Sequence, residues 1–501
     1  MPERTNKNLL LRAIVISLAV LASSAVYIAG YLQKVPGSSY TGIRSLNASD
    51  FNVNAAWVKQ AQDGKLVFEN PFTSVPQKPF LIRPFYVAIS LPFQFFRLDP
   101  SKVLHIWRLI LSIVLLISLF RLIQIFDQNQ PRIFIAFLLI AFTSGIGYFV
   151  RRIVPASADL GIPEAFLFLT LGEAPHFQYS ILLFWTGITG IFIYTNNDRS
   201  GLWIFLICLE LLWWDHPFDA FTLIAIGTFG ALFLNGWRKK AFFFIFVALI
   251  SILPVIYYLA LSKLSYAQGA AEQNLMSSPE LLPLLTAFLP LILLALFGAI
   301  DQLKIPERRT AVIFLIGWSI LHFVLAYLPV PFQRRLLSGV QFPLSVLAAF
   351  TLHQKIRKPI FIGLILIFLT CTNLYIMKTQ LSELKSRTMP LYIPDQYQSA
   401  FRWLSNKPKG AVLSAFTTAN FIPANTGMPA YWGHSALSPN IKEKRIAVKN
   451  FYESPTPDFI RTNNIRYIFL GWEERQYSTP ELLSPFSCIY NRDRLRIYEL
   501  K

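Results

Sequence analysis

The chain has 501 residues, of which 54% are hydrophobic and 15% aromatic, with a mean hydropathy of +0.46. Soluble globular chains do not carry that composition, so the sequence reads as a multi-pass membrane protein. Its formal charge of +19 is scattered over short loops rather than gathered on one face, which excludes nucleic acid as a partner and points to membrane topology.

Arg4, Lys7 and Arg12 precede an apolar run that reaches about residue 32. That run is too long for the core of a cleaved signal, so 13–31 is expected to be an uncleaved first crossing. The polar stretch 33–80 follows, and within it Asp50 is expected to cap a helix that Asp63 and Gly64 close. Residues 81–97 are apolar but interrupted by Pro84 and Pro92, which suits a helix lying at the membrane interface.

Further crossings are expected at 103–126, 133–150, 177–195, 201–214, 217–235, 241–262, 281–300, 311–328, 336–352 and 360–377, giving about eleven. The doubtful one is 201–214, which reaches only about 21 Å and carries Glu210. Loop charge arbitrates. If this segment crosses, NGWRKK (235–240), DQLKIPERR (301–309) and HQKIRKP (353–359) all share the side of the basic N-terminus, as the positive-inside tendency requires. That side is the cytoplasmic face of an inner or plasma membrane. The outer face then receives 33–80, 151–175, the turn at 213–219, 263–280, 329–335 and everything after about residue 379.

The tail changes character, with β-type runs at 411–415, 465–471 and 495–500 and helical stretches near 395–405 and 440–452. The expected architecture is a polytopic α-helical membrane domain (1–378) followed by a small extracytoplasmic α/β domain (379–501). Cys208, Cys371 and Cys488 form no CxxC pair, so neither a disulfide framework nor a thiolate metal site is expected.

Every polar cluster of interest falls on the outer side. Asp50, soon after the first crossing, suits a general base that takes a proton from an acceptor hydroxyl. Residues 151–176 supply Arg151, Arg152, Asp159, Glu164, Glu173 and His176. Glu173 and His176, nearest the membrane, are the candidates for a second catalytic carboxylate or a metal ligand. In LELLWWDHPFD (209–219), Glu210, Trp213 and Trp214 share a helix face, while Asp215 and His216 suit a polar substrate. The plainer reading makes the tryptophans membrane-belt anchors and Asp215 an N-cap before Pro217.

PVPFQRR (329–335) places Gln333, Arg334 and Arg335 outside, where guanidinium forks hold a phosphate or pyrophosphate, or else anchor to lipid head groups. Trp57, with Trp213 and Trp214, is expected to stack on sugar rings. IPANTGMPAYWGHS (422–435) offers Asn425, Tyr431, Trp432 and His434, which suit either a sugar face or a turn-rich loop.

The inner N-terminus, the long first outer loop with an acid near its start, the eleven crossings and the outer C-terminal domain resemble the C-type glycosyltransferases that use polyprenyl-phosphate sugars. AWVKQAQDGKLVFENPFTS, PHFQYSILLFW, DHPF and FQRRLLSGVQFPLSVLAA are similar to bacterial members of the protein-mannosyltransferase and aminoarabinose-transferase-like branch. The resemblance implies a donor of polyprenyl-(pyro)phosphate-linked sugar, contact with membrane lipids, Asp50 serving the acceptor, and Arg334 and Arg335 holding the lipid phosphate. The sequence departs from the family in showing one isolated acid where an adjacent acidic pair or a D-x-D is usual. That leaves a divalent metal cofactor open, together with two alternatives to a transferase: a polyprenyl-lipid flippase or transporter, and a non-catalytic scaffold whose outer domain binds glycans.

Overall fold

Each of the eleven apolar segments contains a helix in the computed structural model, which describes residues 2–96, 98–264 and 275–500. They are Pro2–Leu32, Pro100–Phe126, Gln130–Phe142, Pro175–Thr195, Ser200–Asp215, Pro217–Ala231, Trp237–Leu261, Leu281–Gln302, Pro306–Leu325, Gln341–Thr351 and Pro359–Glu383. Among the described residues, eight helical segments are long and apolar enough to cross a membrane. Residues 265–274 of the connection 263–280, and Arg97 at the end of 81–97, lie outside the described residues.

Proline opens several of these helices, at Pro175, Pro217 and Pro306 for example, where its missing N–H is one the first turn leaves unbonded anyway. Trp237–Leu261 exposes Phe244, Leu249, Leu253 and Ile256, as a lipid-facing helix must, whereas every residue of Gln341–Thr351 is buried. The chain forms two compact units, one of Met1–Val26, Trp107–Ile256 and Met276–Leu381, the other of Tyr27–Ile106, Tyr257–Leu275 and Ser382–Lys501.

Within the first unit, two apolar runs do not become single straight helices. The run 133–150 stops at Phe142, and a short helix resumes only at Gly147–Val150. A side chain at Gly145 would put its Cβ 2.2 Å from the Ala287 carbonyl oxygen, so close backbone contact, not hydropathy, decides the break. The freed backbone groups find partners inside the protein, as buried irregular chain requires. The Ser144 N–H donates to the Leu369 carbonyl (2.9 Å), and those of Gly145 and Gly147 both donate to the Asp159 carboxylate (3.0 Å each).

The run 336–352 is likewise divided. A tight turn of helix, Gln333–Leu337, leads through Gly339 at φ +82° into Gln341–Thr351. Gln341 is satisfied there by the Leu167 N–H (2.8 Å) and the Thr143 carbonyl (2.8 Å). The charges that interrupt apolar segments are also partnered: Arg108 donates to Ser24 and to the Leu171 carbonyl, and Arg132 forks onto Asp127 at 2.5 and 2.7 Å.

The second unit combines the first polar loop with the tail. Strand Ser38–Tyr40 pairs antiparallel with Tyr392–Pro394. Helix Ala48–Gln62 ends at Asp63, with Gly64 at φ +86° as the sequence suggests. Its start differs from expectation: Asn47, at φ 58°, occupies the cap position without a side-chain bond, and Asp50 stands in the first turn. Residues 84–93 are helical, and Leu91, Phe95 and Phe96 are exposed, consistent with an apolar surface element.

In the tail, a four-stranded sheet runs in the order 411–413, 465–470, 495–499, 487–492, its first pair parallel and the others antiparallel. Helices Asp395–Ser405 and Ile441–Glu453 lie where periodicity indicates. Helix Phe416–Thr426, unforeseen because Pro423 falls inside it, packs on Ala48–Gln62.

Candidate functional site

Asp50 projects from the first turn of its helix, where the unbonded N–H groups favour a negative charge. Its carboxylate Oδ1 is 2.7 Å from Nε2 of His434, and the two side chains differ sharply in exposure, 51% for Asp50 against 7% for His434. The helix start is tied to the tail by further bonds. Asn52 donates to the Asn420 side-chain oxygen (2.8 Å), and the Asn420 amide donates to the carbonyls of Ser49 (3.3 Å) and Gly433 (2.8 Å).

Trp57 is a correction: it is 2% exposed, stacked on Phe68 at 6.0 Å with Arg83 over its ring at 5.7 Å, so it packs the unit and offers no open face to a sugar. Tyr431 and Trp432 are buried as well, the Trp432 indole donating to the Ser414 carbonyl (2.8 Å).

The first unit gathers a second constellation. Arg335 pairs with Glu164 at 3.0 Å and Arg334 does so at 3.7 Å, the arginine side chains being 16% and 30% exposed. The second oxygen of Glu164 and the Nε of Arg334 are buried without a hydrogen-bond partner. The Arg335 guanidinium lies over the rings of Phe177 (5.5 Å) and Phe218 (6.0 Å). Phe177 in turn touches His216, and the His176 ring lies tilted against His216 with ring centres 5.1 Å apart.

The turn at 213–219 explains this arrangement. Asp215 is the last residue of its helix rather than an N-cap, and His216 serves both as the end of Ser200–Asp215 and as the start of Pro217–Ala231. One turn on, Asp219 receives His216 Nδ1 at 3.3 Å and the Ser180 hydroxyl. Glu173, Asp215 and His216 are buried, and His176 is half-buried.

Several expected binding residues instead hold the fold. Asp159 is fully buried, taking the Ser157 hydroxyl at 2.5 Å besides the two glycine N–H groups. Burial pushes its carboxyl up from the usual range, and these donors pull it back. Gln333 spends its amide on the backbone, donating to the Leu328 carbonyl (2.7 Å) and accepting from the Ser278 N–H (3.1 Å).

Arg151 lies over the rings of Tyr148 (4.3 Å) and Tyr375 (5.0 Å), whereas Arg152 is exposed. Glu210 and Trp214 do share a face, the indole donating to the carboxylate at 2.7 Å, and Trp213 donates to Ser251 (3.0 Å).

Among the described residues no group of three or more His, Cys, Asp or Glu side chains converges to hold an ion. Glu164, Asp219 and His434, which the sequence offers only within longer polar stretches, supply the partners in these pairs. Asp219 lies three residues after His216 at the start of a helix.

No protein-family model matches the chain, and no curated protein does. Solved structures do. ArnT from Cupriavidus metallidurans, bound to undecaprenyl phosphate, aligns over 98% of this chain and 97% of its own, with TM-score 0.54 and 9% identity. The Archaeoglobus fulgidus oligosaccharyltransferase, in complex with Zn and sulfate, aligns over 95% and 71%, with TM-score 0.52 and 13% identity. The arabinofuranosyltransferase AftD from Mycobacteria aligns over 98% of this chain and 41% of its own, with TM-score 0.55 and 13% identity. At such identities the likeness is one of fold.

Proposed function

We propose that this chain, which has the polytopic fold of the C-type glycosyltransferases, moves a sugar from a polyprenyl phosphate or pyrophosphate to a hydroxyl of a lipid, glycan or protein. The reaction would take place at the outer face of an inner or plasma membrane, with the N-terminus cytoplasmic and the tail outside. The observation that carries the reading is the likeness over nearly the full length of both chains to a transferase that holds undecaprenyl phosphate. Two local features supply the chemistry: a half-exposed carboxylate at Asp50, and the adjacent guanidinium groups of Arg334 and Arg335.

Asp50 takes the proton of the acceptor hydroxyl as its oxygen bonds to the anomeric carbon. The bond from that carbon to the phosphate oxygen breaks, and Arg334 and Arg335 stabilise the charge gathering on the departing phosphate. Glu173 and His176 assist in deprotonating the acceptor.

The test supplies membrane fractions with labelled polyprenyl-phosphate sugar. Membranes with the native chain should transfer label, and those with Asp50→Ala should not. Label that crosses the bilayer without transfer would make the protein a flippase. Neither transfer nor crossing would leave a glycan-binding scaffold, the reading that the solitary acid favours.

A further inference from the structure

The geometry points to His434 as the positioning residue for Asp50, a role that rests on the proposed transferase reaction. The ring is held at both edges. Nδ1 lies 3.3 and 3.2 Å from the backbone nitrogens of Ala436 and Leu437, which can only donate. Nδ1 is therefore an acceptor, and the ring proton sits on Nε2, which donates to Asp50 Oδ1 at 2.7 Å.

The loop that presents the ring is itself closed. The Ser438 hydroxyl accepts the N–H groups of Gly433 and His434 (3.1 Å each), and the Ser438 N–H donates to the His434 carbonyl (3.0 Å). Phe72 packs against the ring at 5.8 Å.

Exposure assigns the roles within the pair. The aspartate reaches solvent and the histidine does not, so the carboxylate is the member that an acceptor can meet. With Nδ1 already engaged by two backbone donors, the ring has no vacant nitrogen with which to take a proton onward. It acts as a fixed donor to Oδ1 and so helps to set the orientation of the Asp50 carboxylate. Orientation matters for a general base, since a displacement of about 1 Å costs on the order of 100-fold in rate.

The test measures label transfer from polyprenyl-phosphate sugar in native membranes at several donor concentrations, so that kcat and donor KM separate, together with the thermal midpoint of each variant. His434→Phe keeps the ring volume against Phe72 and removes the donor; it should lower kcat by about 10- to 100-fold with donor KM nearly unchanged. His434→Gln places an amide N–H near the position of Nε2 and should recover most of that loss.

A native kcat in His434→Phe overturns the inference. So does His434→Gln failing as badly as His434→Phe, or a fall in kcat that merely follows a fall in thermal midpoint. Asp50→Asn separates this failure from that of the reaction itself. Full transfer by Asp50→Asn removes Asp50 as the base, and the role of His434 with it. Loss of transfer in Asp50→Asn beside native rates in both His434 variants removes only the positioning role.

Discussion

Arg334 and Arg335 already share a counter-ion, and that decides what their substitution should do. Glu164 is buried and pairs with both guanidinium groups, so it holds them in place, and two positive charges against one carboxylate leave capacity for a further anion. Arg335, closer to Glu164, less exposed and backed by two phenyl rings, should matter more than Arg334. A charge-assisted hydrogen bond contributes about 1.5–3 kcal/mol, so Arg335→Ala should weaken retention of polyprenyl phosphate by about 10- to 100-fold, with Arg334→Ala weaker in effect. Binding of radiolabelled undecaprenyl phosphate to purified protein checks this, and unchanged affinity in both variants would make them head-group anchors. At this scale the sequence was partly legible: Asp50 and the arginine pair stand out by type and place. Trp57 and Asp159 misled, because burial depends on contacts that residue type does not reveal.

Helices were the most legible elements, since each apolar run announces itself by length, and the breaks within them were not. Hydropathy reads 133–150 as one segment, yet the chain stops at Phe142 because Gly145 lies against the backbone at Ala287 and Asp159 holds the turn. Gly145→Ala should therefore destabilise the protein by about 1–3 kcal/mol, the usual cost of overpacking, seen as a lower midpoint in detergent. Asp159→Ala leaves two buried N–H groups without acceptors and should destabilise it more than an exposed control such as Arg152→Ala, in the same measurement. The tail shows the same division. Helices 395–405 and 441–453 follow from their periodicity, whereas Phe416–Thr426 contains Pro423 and strand 487–492 has exposed charge at its end, so neither declared itself.

For the molecule as a whole, composition and the apolar runs gave the class of architecture, and the pairing of the first polar loop with the tail was beyond reach without coordinates. That second unit also carries a pH dependence. Burial pushes Glu474 up to about 7, although the N–H groups of Ala415 (2.8 Å) and Gly471 (2.9 Å) pull the other way. The folded state keeps its proton where the unfolded chain, with an ordinary carboxyl near 4.5, has lost it. Stability is therefore greatest below about pH 4.5 for this group and falls as pH rises to about 7, by on the order of 3 kcal/mol. Glu474→Gln should flatten that part of the slope when thermal midpoints are followed between those pH values.

The bond from His434 to Asp50 joins residues 384 apart in sequence. During synthesis at about 5–20 residues per second, the acid emerges roughly 20 to 80 s before the ring that is to hold it. On the proposed reaction, the base would therefore wait through that interval for the residue that orients it. A stop codon placed after the helix Pro359–Glu383 but before His434 should, on that reading, leave a protein that keeps its apolar helices and transfers at least as poorly as His434→Phe.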